Sequence, residues 1–368
     1  MADFTLVAVD GSARSGTLAL THGVVETPCF MPVGTAATVK GLTPDDLHAT
    51  GAQIVLANDY HLWLRPGLRV LEAAGGLHRF MGWDGPILTD SGGFQIFSLE
   101  GRRTIDDDGV TFRSHIDGSE HRFTPESVIA FSRALGVDVA MVLDVCTKLP
   151  ASYAELERAV ELTTRWARRS APGANDGPTA AFAIVQGGLD RTLRERSARE
   201  LVELDFPGYA IGGLSVGETR DELYATARFT AERLPQNKPR YLMGVGTVTD
   251  LIEAVDAGVD LFDCVYPTRC GRTGRAMTRD GHFNIFNARY SDDFGPLDPN
   301  CGCRVCARFS RAYLAHLFRS EEMLGPRLLS EHNVTVLNDL MRDARTAIRA
   351  GRWRVLAESL LGRTNHPA

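Results

Sequence analysis

The sequence predicts an α/β protein built on a (β/α)8 barrel, the TIM-barrel fold, with an antiparallel element before it and a small subdomain inserted late. Two observations predict the barrel. Short apolar runs alternate with amphipathic stretches along most of the chain, and each run ends in polar or glycine residues. Three cysteines within six residues mark the subdomain. A chain of 368 residues suits one such barrel or two ordinary domains.

The first segment, residues 1–50, alternates short apolar pieces with glycine and proline, among them Gly11, Gly16, Gly23, Pro28 and Pro32. This spacing is typical of short strands joined by tight turns. We therefore expect a small antiparallel element that packs on the barrel and closes its bottom.

The barrel is assigned to residues 51–280, where the alternation is regular. Seven apolar runs stand out, at 54–58, 86–90, 139–144, 181–186, 209–214, 241–246 and 261–263, and 274–278 is a weaker eighth. Runs that are apolar throughout fit strands buried on both faces, hence a parallel sheet. Eight units with intervening helices favour a closed barrel over an open doubly wound sheet.

Three further segments complete the chain. Residues 106–121 are predicted to form a hairpin inserted after the second run. Residues 281–335 are assigned to the cysteine-bearing subdomain, and residues 336–368 to a C-terminal helical segment that completes the barrel.

Composition places the chain among ordinary globular proteins. Hydrophobic residues make up 44% and charged residues 23%, which excludes a wholly disordered, collagenous or coiled-coil chain. With a net charge of −6, any nucleic-acid binding has to use a local basic patch. No apolar run approaches the roughly 18 residues of a membrane span. We expect a soluble, cytoplasmic protein that makes no membrane contact.

The cysteine pattern indicates a metal site rather than disulfides, because seven cysteines is an odd number in a chain of this length. Cys301, Cys303 and Cys306 with His332 form the ligand set of a closed tetrahedral Zn²⁺ site, which would be structural. His316 is a competing fourth ligand. The alternative is three ordinary buried cysteines.

Polar residues end the predicted strands, and in a parallel barrel all those ends open on one face. They are Asn58, Asp90, Asp144, Gln186, Gly212 with Gly213, Met243 with Gly246, and Asp263. Helix capping explains one or two of them but not a set with three carboxylates. Of Asp90 and Asp263, one can act as nucleophile and the other as general acid/base. The alternative is that both aspartates form structural ion pairs.

The other strand-end groups suit a purine. The Asp144 carboxylate matches the N1–H and 2-amino donors of guanine, and the Gln186 amide can meet its O6. Phe94 can stack on the ring and Met243 can flank it. Beyond them, residues 264–319 carry nine arginines and four aspartates, including Arg269, Arg272 and Arg275. This density suits phosphate contacts, although a solvated basic face is the alternative.

These residues are similar to those of a known family. The chain resembles the bacterial queuine tRNA-guanine transglycosylases from end to end. The matching stretches are 56–62 (LANDYHL), 90–95 (DSGGFQ), 212–218 (GGLSVGE), 241–246 (YLMGVG), 262–269 (FDCVYPTR) and the Cys-x-Cys-x2-Cys…His set. The resemblance implies a (β/α)8 barrel with a late zinc subdomain, one structural zinc per subunit, and a homodimer.

The resemblance also implies the reaction. Guanine at the wobble position of tRNAs with G-U-N anticodons (those for Asp, Asn, His and Tyr) would be exchanged for 7-aminomethyl-7-deazaguanine (preQ1), a step of queuosine biosynthesis. The exchange would be ping-pong. Asp263 would attack ribose C1′ and form a covalent intermediate, and Asp90 would take the proton from the incoming base.

The same resemblance implies binding roles, residue by residue. Base-binding residues would be Asp144, Gln186, Gly213, Leu214, Phe94, Met243, Cys146, Ser91, Asn58, Glu218 and Val216. RNA-binding residues would be Arg269, Arg272, Thr268, Gly244 and Gly246. Val216 should limit room beside the 7-substituent, and Glu218 should orient the Leu214 backbone.

Three alternatives stay open. The first is a queuine-using transglycosylase, although eukaryotic relatives that take queuine have a smaller residue at the position of Val216. A retaining glycoside hydrolase would share the barrel and the two carboxylates but predicts neither the cysteines nor the arginines. A non-catalytic RNA-binding subunit would not need both Asp90 and Asp263.

Overall fold

The computed structural model describes residues 1–99 and 101–364. Its strands are β1 (Asp3–Asp10), β2 (Ala13–Leu20), β3 (Gly23–Thr27), β4 (Cys29–Pro32), β5 (Val55–Asn58), β6 (Ile87–Asp90), β7 (Arg103–Asp106), β8 (Gly109–Arg113), β9 (Glu120–Phe123), β10 (Val139–Met141), β11 (Ala180–Val185), β12 (Tyr209–Ile211), β13 (Arg240–Leu242), β14 (Leu261–Cys264), β15 (Arg275–Thr278) and β16 (Gly281–Asn284).

Helices alternate with most of these strands. They are α1 (Pro44–Ala49), α2 (Asp59–Leu64), α3 (Leu68–Ala73), α4 (Leu77–Met81), α5 (Gly93–Phe97), α6 (Pro125–Leu135), α7 (Tyr153–Ser170), α8 (Arg191–Val202), α9 (Arg220–Ala231), α10 (Val248–Asp256), α11 (Tyr266–Arg272), α12 (Arg304–Arg308), α13 (Arg311–Arg319), α14 (Leu324–Arg349) and α15 (Trp353–Thr364), with a 3-10 turn at Ala288–Tyr290. No helix among these residues is long and apolar enough to cross a membrane.

The predicted barrel is confirmed. Eight parallel strands pair in the order β4-β14-β13-β12-β11-β10-β6-β5, and a parallel bridge between Val33 and Leu56 joins the two ends. The strands are buried on both faces, as β11 shows over its whole length. Several loops after the strands end in a capping box, for example Ser152 with Glu155 before α7 and Thr219 with Glu222 before α9.

The identity of the eighth barrel strand was predicted wrongly. Residues 274–278 do not enter the barrel, because Arg275–Thr278 pairs antiparallel with Gly281–Asn284 across a two-residue turn. The eighth strand is β4, which lies beside β14 with Cys29 opposite Leu261. Its apolar run is short and stands between Pro28 and Pro32, so the sequence suggested a turn-rich segment. The barrel therefore begins inside the segment expected to precede it, and the other segment boundaries stay predictions.

Two antiparallel elements match the sequence analysis. Strands β1, β2 and β3 form the expected N-terminal sheet. The insertion after β6 is a hairpin with one additional strand, giving the sheet β7-β8-β9. The end of the C-terminal segment, residues 365–368, lies outside the described residues.

Helix α14 joins the late subdomain to the barrel. Its Asn333 accepts from the Met277 backbone N–H and donates to the Pro267 and Arg275 carbonyls at 3.0 Å each. Close contact with α11 requires Gly271, since a Cβ there would lie 2.5 Å from Ser330. The helix therefore fixes the position of α11 at the mouth of the barrel.

Candidate active site and metal centre

A cavity of about 510 Å³ opens at the C-terminal ends of the barrel strands. Most of the predicted site residues line it: Asn58, Asp90, Phe94, Asp144, Cys146, Gln186, Gly213, Leu214, Val216, Met243, Gly244, Gly246, Asp263 and Arg269. Four others, Ser91, Glu218, Thr268 and Arg272, are not part of its lining. The barrel thus brings strand ends far apart in sequence to one concave site.

Asp263, at the end of β14, has two chemically different oxygens. The Tyr241 hydroxyl donates to Oδ1 at 2.6 Å and the Gly244 N–H donates to the same oxygen at 2.8 Å. Among the described residues no donor bonds Oδ2. Burial raises the pKa of Asp263 above its ordinary value, although these two hydrogen bonds oppose it. The carboxylate is held by one oxygen and offers the other to the cavity.

Asp90, at the end of β6, differs from Asp263 in its hydrogen bonds and in its pKa. Asn58 donates to its Oδ2 at 2.8 Å and to Gln95 Oε1 at 3.0 Å. Burial, and then the negative charges of Asp144 and Asp263, raise the pKa of Asp90 to about 7. A carboxyl group with such a pKa can both give and take a proton at neutral pH.

Asp144 and Gln186 form a fully buried pair, in which Gln186 Nε2 donates to Asp144 Oδ2 at 2.6 Å. Burial raises the pKa of Asp144 to about 6, although the amide opposes the shift. One N–H of Gln186 is thus already engaged, and its other donor and its oxygen are left for a bound base.

The Gly212-Gly213 backbone beside them needs glycine. Gly213 has φ +63°, and a Cβ there would lie 2.3 Å from Gln186 Oε1. Arg194 of α8 holds this backbone from below, because its guanidinium donates to the carbonyls of Gly212 at 2.8 Å and Gly213 at 3.3 Å. Burial lowers the pKa of Arg194 to about 10. Sequence reasoning missed Arg194; a cation on the buried face of α8, beside Leu193 and Ser197, is the signal.

Glu218 lies behind the next peptide. Its carboxylate accepts from the Ser215 N–H and, at 3.0 Å, from the Val216 N–H. Since the N–H and C=O of a trans peptide point in opposite directions, the Leu214 carbonyl points away from Glu218. Ser215 has φ +60°, an uncommon conformation for a non-glycine residue.

The apolar part of the lining includes Phe94, Cys146, Met243 and Val216. Phe94 is 54% exposed at the rim. Burial raises the pKa of Cys146 to about 12, so its thiol stays neutral. A second cavity of about 830 Å³ shares Phe94, Cys146 and Val216 with the first. These side chains therefore form the wall between the two cavities.

The predicted basic surface is smaller than the count of arginines suggested. Arg304 pairs with Asp46 and Glu331, Arg279 pairs with Asp343 and Arg311 pairs with Asp293, so these arginines hold the fold together. Arg269 is exposed on α11 beside the cavity, and Arg272 is partly exposed one turn later. Thr268 is buried and donates to the Val265 carbonyl.

The predicted metal ligands converge. The Nδ1 atom of His332 lies 3.7, 3.5 and 3.4 Å from the sulfurs of Cys301, Cys303 and Cys306. His332 Nε2 lies 2.8 Å from the Met277 carbonyl, which assigns its proton to Nε2 and leaves the Nδ1 lone pair facing the thiols. His316 is not in this cluster. Three sulfurs and one imidazole nitrogen fit a metal ion and are the donors that zinc prefers.

Comparison with known proteins identifies the family. Residues 10–366 match the family described as queuine tRNA-ribosyltransferase. The chain is similar to the queuine tRNA-ribosyltransferase of Desulforudis audaxviator, with 55% identity over 97% of this chain and 96% of that protein. The enzyme of the same name from Granulibacter bethesdensis is 55% identical over 97% of this chain and 94% of its own length.

The electrostatic coupling at the cavity can be tested directly. Replacing Asp144 with Asn should lower the pKa of Asp90 below about 7, because a neighbouring negative charge that opposes ionisation is removed. Carboxyl ¹³C NMR titration would measure the shift. Asp250→Asn is the matched control, since Asp250 lines the same cavity but bonds to Tyr224 instead. An Asp90 pKa that rises or stays constant in Asp144→Asn contradicts the coupling.

Proposed function

The chain belongs to the queuine tRNA-ribosyltransferase family, and from this premise we propose that it exchanges guanine at the wobble position of G-U-N anticodon tRNAs for preQ1 by a ping-pong mechanism. It is a transferase that acts on tRNA. One observation carries the finer proposal. At the mouth of the barrel, Asp263 has an oxygen that no donor bonds among the described residues, and Asp90 beside it has a pKa raised to about 7. We further propose that the protein is cytoplasmic and forms a homodimer. Light scattering would test the dimer by measuring the mass of the protein in solution.

In the first half-reaction Asp263 Oδ2 attacks ribose C1′ of the wobble nucleotide. The C1′–N9 bond breaks, and guanine leaves with a proton supplied by Asp90. The product is a ribosyl ester on Asp263. The Tyr241 hydroxyl and the Gly244 N–H hold Oδ1 throughout, so the attacking oxygen stays aimed at one point.

In the second half-reaction preQ1 occupies the vacated pocket. Its N9 proton passes to Asp90, the nitrogen attacks C1′, and the ester bond to Asp263 breaks. Two inversions at C1′ give net retention, as in retaining glycosidases. The wobble base has to leave the anticodon stack to reach this depth.

Recognition of the base follows from the polar lining. Asp144 accepts from the N1–H and the 2-amino group, and the free donor of Gln186 meets O6. Phe94 and Met243 cover the two faces of the ring. The aminomethyl group of preQ1 donates to the Leu214 carbonyl, which Glu218 orients from behind. A base without the matching edge would leave buried polar groups unpaired and be rejected strongly.

Exchange of radiolabelled guanine into an unmodified G-U-N tRNA transcript tests the proposal. Label should enter this transcript but not one with adenine at the wobble position. Incorporation into neither transcript, together with hydrolysis of simple sugar glycosides, would favour a retaining glycoside hydrolase instead.

Replacing the nucleophile should abolish covalent chemistry but not binding. Asp263→Asn keeps size and hydrogen bonding and removes the attacking charge. We expect loss of the tRNA adduct on denaturing gels, with tRNA affinity retained in filter binding. The control Asp250→Asn should still form the adduct. An adduct with Asp263→Asn would rule out this residue as nucleophile.

We propose that the metal is zinc and that it is structural, since four protein ligands leave no open position. Binding free energies of structural zinc are about 10–16 kcal/mol, comparable to the whole stability of a domain. Cys303→Ala should therefore lose zinc by elemental analysis, melt at lower temperature and bind tRNA less tightly. Cys29→Ala, a buried cysteine of β4, should keep its zinc. Wild-type protein purified without zinc would refute the assignment.

We propose that Arg269 and Arg272 contact tRNA phosphates beside the cavity. Arg269→Gln should raise the tRNA KM and reduce the slope of log affinity against log salt by about 0.7–0.9, the value for one lost contact. Arg354→Gln, an exposed arginine of α15 paired with Glu358, should leave the slope unchanged. If only the KM of the free base moved, Arg269 would belong to the base pocket.

We propose that Val216 sets the choice between preQ1 and queuine. It stands in the wall between the two cavities, so Val216→Gly should open the base pocket toward the larger space and improve kcat/KM for queuine. Val33→Ala, elsewhere in the same lining, should not. Side-by-side assays of both bases with one tRNA measure the effect. Equal kcat/KM for the two bases in the wild type would show that this wall does not discriminate.

A further inference from the structure

Arg194 of α8 is a fully buried cation that forms no ion pair with any residue that the structure describes. Its guanidinium donates instead to four backbone carbonyls, those of Gly188 at 2.7 Å, Val185 at 3.1 Å, Gly212 at 2.8 Å and Gly213 at 3.3 Å. A buried charge without an opposite charge is costly. The position of these carbonyls indicates what the charge is for.

The four carbonyls belong to the two strand ends that carry the proposed base-binding groups. Val185 is the last residue of β11 and stands directly before Gln186, whereas Gly212 and Gly213 directly follow β12. A second side chain of α8 supports the same region, because Ser197 Oγ accepts from the Gln186 N–H at 3.1 Å. One face of α8 therefore fixes both strand ends at the base pocket.

The carbonyls held by Arg194 determine where the neighbouring N–H groups point. In a trans peptide the C=O and the N–H point in opposite directions, and both peptides are trans. The N–H groups one residue later, those of Gly213 and Leu214, therefore point away from Arg194. The Gly213 N–H faces the thiol of Cys146 in the lining of the cavity. The N–H of Leu214, a residue only 5% exposed, has no acceptor among the described residues. Buried N–H groups are rarely left without an acceptor, and a bound base can supply one.

We propose that Arg194 is a positioning residue that determines specificity for the O6 atom of the base. By holding the two glycine carbonyls, it presents the N–H groups of Gly213 and Leu214 as a pair of donors to O6, beside the free donor of Gln186. This inference rests on the proposed function and extends it. Guanine and preQ1 share O6, whereas N7 of guanine is a carbon atom in preQ1. A fixed pair of donors at O6 therefore serves both half-reactions.

Arg194 and Glu218 act on successive peptides of the same segment. Arg194 holds the peptide between Gly213 and Leu214, and Glu218 accepts from the Ser215 N–H of the next peptide. The first peptide faces the O6 edge that both bases have. The second carries the Leu214 carbonyl proposed to bind the aminomethyl group, which only preQ1 has. A change at Arg194 should therefore weaken guanine and preQ1 by the same factor.

Packing of the helix alone explains Arg194 less well. Ala198 and Leu201 already attach α8 to the apolar core of the barrel. Replacing a buried charge by a well-packed hydrocarbon of similar volume is often neutral or stabilising, so a residue required only for packing would not have to be a cation. A planar guanidinium with five donors can hold several carbonyls in fixed directions, which an ammonium group cannot.

Titration calorimetry of the full-length protein with free bases, without tRNA, tests the inference. Arg194→Lys keeps the positive charge and removes the planar fork. The wild type should prefer guanine to 6-thioguanine, in which a weaker sulfur acceptor replaces O6. We expect this preference to fall by about three- to tenfold in Arg194→Lys, the loss typical of one neutral hydrogen bond. The preference for guanine over hypoxanthine, which lacks only the 2-amino group proposed to bind Asp144, should stay unchanged.

Arg196→Lys is the matched control, because Arg196 lies on the same helix and pairs with Glu200 at the surface. Both preferences should stay as in the wild type. If Arg194→Lys lowers both preferences together, the pocket has loosened as a whole and the specific role is refuted; the same holds if neither preference changes. A wild-type protein that binds neither guanine nor preQ1 would instead contradict the proposed function.

A measurement on the wild type keeps the inference testable if Arg194→Lys does not fold. Labelling with carbonyl-¹³C glycine and ¹⁵N leucine selects the leucines that follow a glycine, Leu214 among them. Its amide proton should move downfield when guanine is added, because the N–H gains O6 as acceptor. Binding of guanine without a shift of this amide would overturn the proposed pair of donors.

Discussion

Closure of the parallel sheet is the constraint on which the rest of this structure depends. The bridge between Val33 and Leu56 brings β4 beside β5, so that eight strand ends face one mouth. Three carboxylates, the buried Asp144 and the partly buried Asp90 and Asp263, then line one cavity. Burial raises the pKa of all three, the charges of Asp144 and Asp263 raise that of Asp90 further, and each carboxylate accepts from at least one neutral donor. The proposed acid/base chemistry depends on this crowding.

The late subdomain acts on the same mouth through helix α14. His332 and Asn333 are neighbours on that helix. His332 belongs to the cluster with Cys301, Cys303 and Cys306, and Asn333 donates to the carbonyls of Pro267 and Arg275. Pro267 and Arg269 both belong to α11, at the rim of the cavity. A metal ion bound at the cysteines would therefore fix α14, and α14 in turn positions α11 with Arg269, the proposed phosphate contact. The free energy of metal binding would thus stabilise the surface proposed to bind tRNA.

Charged groups in this protein serve two separate purposes. Asp46, almost fully buried, accepts from Arg304 and Arg327 and fastens the subdomain to α1. Burial opposes ionisation of Asp46, but hydrogen bonds from Thr43 and Arg304 outweigh it and lower its pKa. Its stabilising contribution is therefore present above the pKa of the unfolded state and is lost as pH falls through the folded value. Exposed Arg269, by contrast, forms no ion pair with any residue that the structure describes.

The sequence by itself determined the fold class, the strand ends that carry Asn58, Asp90 and Asp263, and the cysteine cluster. These follow from period, spacing and residue type, which local chemistry dictates. Only the tertiary structure decided that β4 is the eighth strand, that Arg194 holds the Gly212-Gly213 backbone, and that Thr268 is buried. The tertiary structure also showed which arginines form ion pairs, such as Arg304, and which are exposed beside the cavity, such as Arg269. Each of these depends on which distant segments touch. The position of Arg194 on the buried face of α8 indicates that it needs a partner, but its sequence neighbourhood does not say which backbone it bonds.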